Sequence, residues 1–347
     1  MRYYNRQHQY YCGIDLHVKT MYVCLLDPTD QVLVHRNVPS TPAAFLDVVG
    51  PYRTDLIAAV ECMFTWYWLA DLCAAEGITF VRGHALAMKA IHGGKAKNDK
   101  IDSHKIAVLL RGGMLPQAYV YPAAMRSTRD LLRRRLHLVR KRGELLAHIQ
   151  NTRAQYNLPT FERRLAYATN REGVAEHLPD PRVRKSIEVD LALIDHYDAL
   201  VTDLELTIVR EAKRHDGDAF HRLKSVPGIG KVLALTILYE IHDIDRFDRV
   251  QEFASYARLI KCRKESAGKK LGTSGAKMGN VHLKWAFSEA AVSLLRHSRE
   301  GQQLLARLEK KHGKGKALSI LAHKIGRAVY YMLSRGTVFS MEKFLAA

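Results

Sequence analysis

One run limits what this chain can fold into more than any other: YCGIDLH, residues 11–17, a strand pattern with Asp15 at its centre. Side chains along a strand alternate between two faces, so an aspartate among Cys12, Ile14 and Leu16 is out of place as ordinary core. Two further β-rich runs follow, MYVCLLD (21–27) and, after a DPTDQ turn, QVLVHRNV (31–38). Downstream the pattern alternates. STPAAFLDVVGPY reads as a helix capped by Ser40 or Thr41, and LIAAVE as a short buried strand ending at Glu61. TWYWLADLCAAEG reads as a helix stopped by Gly77, ITFVRG as a strand, and HALAMKAI and DSHKIAVLLRGG as helices. Three meandering strands followed by helix–strand alternation predict a mixed α/β sheet.

Residues 123–155 change character. The pattern predicts one long helix with Leu131, Leu138, Leu145 and Ile149 along one side. Its Arg126, Arg129, Arg133, Arg134, Arg135, Arg140, Lys141 and Arg142 are answered locally only by Asp130. Charge of one sign along a helix fits a polyanion groove. Residues 160–182 carry no single pattern. From 183 to 213, Ile187, Ile194, Val201 and Ile208 recur every seven residues, with Tyr197 and Leu204 three further on. That predicts a short coiled coil, with Asp190 and Glu211 on its seam. From residue 220 a VPGIGK turn resembles the hairpin of a helix-hairpin-helix, where glycine N–H groups face a phosphate and Lys231 adds charge. RFDRVQEFASYARLI reads as a helix, KCRKESAGKKLGTSGAKMGN as a loop, and His282 to Leu345 as mostly helical. The expected division is 8–122, 123–218 and 219–347.

Composition narrows the partners. The chain has 54 Lys and Arg against 35 Asp and Glu, a formal net charge of +19. An excess of this size suits nucleic acid. No stretch approaches the ~20 apolar residues of a membrane span, and MRYYNRQHQYYCG lacks the apolar centre of a secretory signal. Five cysteines without a CxxC pair point to a reducing cytosol and argue against a zinc ribbon or a disulfide frame.

The acids carry the chemistry. Asp15 and Glu61 end or interrupt buried strands, and buried carboxylates are rare unless paired or bound to metal. Asp99 and Asp102, three apart at a helix start, share one face. Four carboxylates converging at one sheet end would repel one another, and a divalent cation, most simply Mg²⁺, is the usual remedy. Two such ions can stabilise both the attacking and the leaving oxygen in phosphodiester chemistry. Ser266 and Ser274 lie among Lys261, Arg263, Lys264, Lys269, Lys270 and Lys277. From the residues alone such a loop is first a phosphate contact, because a serine hydroxyl needs activation before it attacks.

Together these residues resemble the DEDD-type transposases of the "IS one-ten / IS eleven-eleven" insertion-sequence family, bridge-RNA-guided recombinases. The matching segments are GIDLHVKTMYVCLLD, AAVECMFTW and KNDKIDSHKIAVLL, then VPGIGKVLALTIL, EFASYARLIKCRKESAGKK and SGAKMGNVHLKWAFSEAA. The family pattern Lys-Thr-Asp-x-x-Asp-Ala stands here with Asn98 for Thr and Ser103 for Ala, and every carboxylate is kept. The resemblance implies a RuvC-like (RNase H fold) domain, a central helical coiled coil that joins subunits and a mainly helical C-terminal domain. It implies excision and insertion of a mobile element through Mg²⁺ held by Asp15, Glu61, Asp99 and Asp102. It also implies a covalent link from Ser266 to DNA, with Ser274 as second candidate. Arg126, Arg129, Arg133, Arg134, Lys231, Lys264, Lys269 and Lys270 are the expected nucleic-acid contacts. Implied partners are donor and target DNA, an element-encoded noncoding bridge RNA, and further copies of the chain as dimer or tetramer, in the bacterial cytoplasm at the nucleoid. Two other readings remain open on the residues: a RuvC-like Mg²⁺ nuclease that uses water, and a non-catalytic nucleic-acid-binding protein. The second gains nothing from carboxylates that face a polyanion.

Overall fold

A computed structural model describes residues 2–61, 64–91, 98–212, 216–274 and 278–346. The chain divides into two compact units, Met1–Ala124 and Met125–Ala347.

The first unit is a seven-stranded mixed sheet with helices on both faces. Its strands are β1 (Tyr3–Tyr4), β2 (Tyr10–Leu16), β3 (Thr20–Leu26), β4 (Val32–Pro39), β5 (Leu56–Glu61), β6 (Thr79–Gly83) and β7 (Leu115–Ala118), in the order β1-β7-β6-β5-β2-β3-β4. The meander β2–β3–β4 is antiparallel, as the three consecutive β-rich runs require. β5 runs parallel to β2 and β6 on either side, and its LIAA start is wholly buried. A strand covered on both faces is apolar without alternation. Helices α1 (Pro42–Val49) and α2 (Tyr67–Ala75) cover one face, against Cys12, Ile14, Leu16, Val23, Ala58 and Val60. Helices α3 (Ala85–Ile91) and α4 (Asp99–Arg111) cover the other, against Tyr11, Cys24, Ile57, Ala59 and Val81. This order is consistent with an RNase H-like arrangement.

The second unit is helical apart from one hairpin. Helix α5 (Ala123–Gln155) enters it and is followed by α6 (Pro181–Ala212). The ion pairs Arg135–Glu205, Arg142–Asp198 and His148–Asp190 climb one helix as they descend the other, so α5 and α6 lie antiparallel. This corrects the expected use of the heptad seam. Ile187 and Ile194 are buried against Ile149, Leu165, Val174 and Leu178, and Ile208 joins a cluster with Met125 and Leu132. The stripe is satisfied inside the chain. Asp190 stands on the seam because His148 of α5 meets it there. The side chain of Glu211 lies outside the described residues. Arg171, buried, anchors the patternless 160–182 segment by bonding to the Leu165 and Ala166 carbonyls and to Asp195 and Asp198 of α6.

The remaining helices are α7 (Gly217–Lys224), α8 (Lys231–Ile241), α9 (Val250–Tyr256), α10 (Val281–His297), α11 (Arg299–His312), α12 (Lys314–Arg335) and α13 (Met341–Ala346). Their core centres on Leu235, Phe253, Phe287, Leu294, Leu321 and Ile325. In the VPGIGK turn, a Cβ on Gly228 would lie 2.4 Å from the backbone nitrogen of Leu294. That glycine therefore serves close packing on α10, while Gly230 and Lys231 are exposed. The Gly/Ser/Lys-rich segment expected as a loop is instead a hairpin, β8 (Cys262–Ser266) and β9 (Lys269–Ser274).

Candidate active site

The alternation of β2 and β5 places the first two acids. Tyr11 and Gly13 face α4, so Asp15 does too; Ile57 and Ala59 face the same side, so Glu61 does as well. Ile14 pairs in register with Val60, which sets Asp15 and Glu61 side by side at adjacent strand ends. Gly13 lets the helix approach. A Cβ there would stand 2.3 Å from both the Ser103 carbonyl oxygen and the Ala107 nitrogen of α4. Because α4 lies so close, its first turn, with Asp99 and Asp102, reaches the strand end.

The two departures from the family pattern keep this geometry. Asn98 caps α4, its side-chain oxygen accepting from the Ile101 N–H at 2.8 Å. Ser103 is buried, and its hydroxyl donates to the Lys100 carbonyl at 3.0 Å.

Gly13→Ala is expected to push α4 off the sheet, cost about 3 kcal/mol as an overpacked contact, and lower cleavage by displacing Asp99 and Asp102. Urea unfolding and a metal-binding titration on the same variant check it. An unchanged unfolding midpoint would contradict the close approach.

The other three acids all act electrostatically on Asp15. The residue is only 8 % exposed. Burial pushes its carboxyl above the usual range; the His17 imidazole opposes this, and Asp99, Asp102 and Glu61 add to the upward shift. The Nε2 atom of His17 lies 3.5 Å from a carboxylate oxygen of Asp15 and 3.5 Å from one of Asp99. Lys105 approaches Asp102 at 3.5 Å. One donor atom each from Asp15, His17 and Asp99 falls within a mutual separation of 4.8 Å. Oxygen donors from buried Asp15 and exposed Asp99, crowded against their own charge, fit a hard divalent cation.

Ser266 lies in the second unit, exposed at the tip of the β8–β9 hairpin and paired in register with Lys269. The connection is Ala267–Gly268, both at positive φ (48° and 74°), the geometry of a two-residue type I′ turn. Lys269 and Lys270 are exposed beside it. The side chains of Arg263, Lys264 and Ser274 lie outside the described residues, as does Lys277.

The α5 arginines are a correction to the sequence expectation. Arg126 and Arg129 are buried, and Arg129 and Arg133 bond the carboxylate of Glu240 from α8 at 2.7–3.1 Å. Of the four α5 arginines expected at nucleic acid, Arg134 is the exposed one. Glu240, 1 % exposed, also accepts from the side-chain nitrogen of Asn280 at 2.7 Å. Asn280 in turn caps α10 and donates its backbone N–H to the Tyr256 carbonyl, closing the neck of the segment that carries Ser266. Sequence reading missed Glu240. The signal was the one that exposed Asp15 and Glu61, an acid inside an apolar run, ALTILYEI.

Burial opposes ionisation of Glu240, but hydrogen bonds from Arg133 and Asn280 and the two arginine charges hold its carboxyl at about 2. Burial also presses His282 down to about 4, Glu240 opposing this and Arg133, Arg129 and Arg140 adding to it. Both shifts have one sign: the unfolded chain binds these protons more readily than the folded one. Stability is therefore expected to fall as pH drops from 6.5 toward about 4 through His282, then from 4.5 toward about 2 through Glu240. Glu240→Ala is expected to cost roughly 3–5 kcal/mol, since it leaves buried Arg129 without its carboxylate. Thermal unfolding across pH 3–8 of wild type and variant checks both.

Comparison with known proteins decides the family. A family model for a DEDD transposase matches residues 12–157, and one described as "Transposase IS116/IS110/IS902 family" matches residues 220–306. The transposase for insertion sequence element IS1111A of Coxiella burnetii is 22% identical over 336 residues, covering 93% of this chain and 89% of that protein. This chain belongs to the IS110 transposase family. The transposase for element IS1328 of Yersinia enterocolitica is 26% identical over 155 residues, 43% of this chain and 46% of that protein. The chain is thus an insertion-sequence transposase, an enzyme that cleaves and rejoins DNA. DEDD transposases generally use a divalent metal, and the acids about Asp15 suit one. Among the described residues no helix is long and apolar enough to cross a membrane.

Proposed function

We propose that this transposase is an RNA-guided serine recombinase with a RuvC-like first unit, recombining donor and target DNA at a site chosen by an element-encoded bridge RNA. The observation that carries the reading is the gathering of Asp15, Glu61, Asp99 and Asp102, each of the other three acting on the Asp15 carboxyl. These residues would hold one or two Mg²⁺ ions, which when bound polarise the scissile phosphate and offset charge developing on it.

Ser266 Oγ attacks phosphorus in line, a P–O3′ bond breaks, the serine proton departs and the 3′ oxygen leaves as a hydroxyl. The phosphoserine link conserves the ester, so attack by a new 3′-hydroxyl reseals the strand without ATP. Exposed Lys269 and Lys270 beside Ser266 support this role by giving the phosphate positive surroundings. Lys264 and Lys231 complete the basic surface of the reading, with Arg134 on α5. Arg129 and Arg133 leave that surface and become the clamp on Glu240. The charge of +19 supports two polyanionic partners. The enzyme acts as a homo-oligomer, dimer or tetramer; with the 187–208 stripe buried inside the chain, the subunit contact falls to other surfaces.

The test is a labelled junction-DNA assay with and without Mg²⁺ and with and without the element's RNA. Recombinant product is expected only when both are present. Product formed in EDTA, or equally well without RNA, would overturn the reading.

A further inference from the structure

We infer that His17 is a nitrogen ligand of the metal site, so that the site is mixed rather than all-carboxylate. The inference rests on reading the four acids as a metal site. None of the family pattern of acids includes this residue, and its geometry argues for it separately.

His17 begins the turn between β2 and β3, and its backbone is fixed from two sides. Its N–H donates to the Thr20 carbonyl at 3.0 Å, and its carbonyl accepts the Ser40 hydroxyl at 2.8 Å. The backbone is thereby fixed at the strand end that carries Asp15, and the ring lies over it. Its Nε2 stands 3.5 Å from Asp15 and 3.5 Å from Asp99, equidistant from two carboxylates on different elements. That spacing is too long for a good N–H···O hydrogen bond, which runs to ~3.2 Å. It is close to the separation of adjacent donors around one octahedral ion: bonds of ~2.1 Å put neighbouring ligands roughly 3 Å apart. A histidine placed only to neutralise the acids would close on one of them. His17 faces both and bonds neither, which is how a donor stands when an ion belongs between them.

An imidazole donor changes which metals the site prefers. Carboxylate and water suit Mg²⁺, Ca²⁺ and Mn²⁺, whereas imidazole suits the later first-row ions Fe²⁺, Ni²⁺, Cu²⁺ and Zn²⁺. Mn²⁺, the first divalent ion of that row, accepts both donor types, so removing His17 is expected to weaken Mn²⁺ more than Mg²⁺.

The experiment uses the tag-free full chain with Mn²⁺ as probe. Pulsed electron paramagnetic resonance of the one-equivalent complex is expected to show ¹⁴N modulation from a coordinated imidazole. His17→Ala is expected to lose that modulation, with Mn²⁺ affinity reduced roughly tenfold and Mg²⁺ affinity, read by competition, nearly unchanged. Mn²⁺ that binds wild type without ¹⁴N modulation, but fails to bind Asp15→Asn, would overturn the role of His17 and leave the carboxylate site standing. Mn²⁺ binding indifferent to Asp15→Asn would overturn both.

Discussion

Asp15→Asn is expected to abolish strand cleavage while leaving nucleic-acid binding intact. The substitution keeps size and shape but removes a charge at the point where the other acids converge. Loss of one such electrostatic contributor costs roughly 10²–10³-fold in rate. Binding survives because its main source is the excess of basic residues, which this change does not touch. The variant carries a second expectation that a merely disrupted core would not give. Burial and three neighbouring carboxylates disfavour the ionised Asp15, so in EDTA the neutral amide is expected to leave thermal stability at pH 7 unchanged or raised. A protein more stable and less active is the signature of a site held in electrostatic strain. Cleavage of labelled junction DNA, a gel-shift titration and a melting curve in EDTA check the three parts. A destabilised variant that still cleaves would contradict the assignment.

Ser266→Ala is expected to eliminate recombination, by on the order of 10⁴-fold or more, as loss of a covalent nucleophile does. The hairpin itself is expected to persist. Ser266 is exposed, and the turn depends on Ala267 and Gly268, not on the hydroxyl. Ala267 occupies left-handed backbone that a glycine adopts freely, so the tip is held against a local preference of about 1 kcal/mol or more. Strand cleavage by Ser266→Ala at the wild-type rate, yielding a free 5′-phosphate, would identify water as the nucleophile and return the serine to phosphate binding.

The placement of the four acids of the candidate site was legible in the sequence because its signal is local and of the right period. Asp15 breaks an apolar strand, Glu61 ends one, and Asp99 and Asp102 share a helix face; strand parity then aims the first two at the helix that carries the others. What could not be read lies in pairings between distant residues. The arginines of α5 seemed unanswered because Glu240 stands more than a hundred positions away. The heptad of α6 read as a subunit contact because a stripe every seven residues fits a partner of the same chain or another equally well. Only the antiparallel ion pairs with α5 reveal which. The hairpin bearing Ser266 was hidden by composition: Gly, Ser and Lys are weak strand formers, and a type I′ turn with alanine at its first position lacks the usual Asn-Gly mark. Gly13 carries no mark of its role in the sequence, because that role exists only once α4 lies against it.

The most direct measurement is to trap and locate the covalent intermediate. Full-length transposase, the element's RNA, Mg²⁺ and end-labelled junction DNA are mixed, quenched in denaturant, and resolved before nuclease digestion and peptide mass spectrometry. The account predicts a protein–DNA adduct that requires Mg²⁺, is missing in Ser266→Ala and Asp15→Asn, persists in Ser274→Ala, and maps to Ser266. Cleaved DNA with no adduct, or an adduct on any other residue, would contradict it.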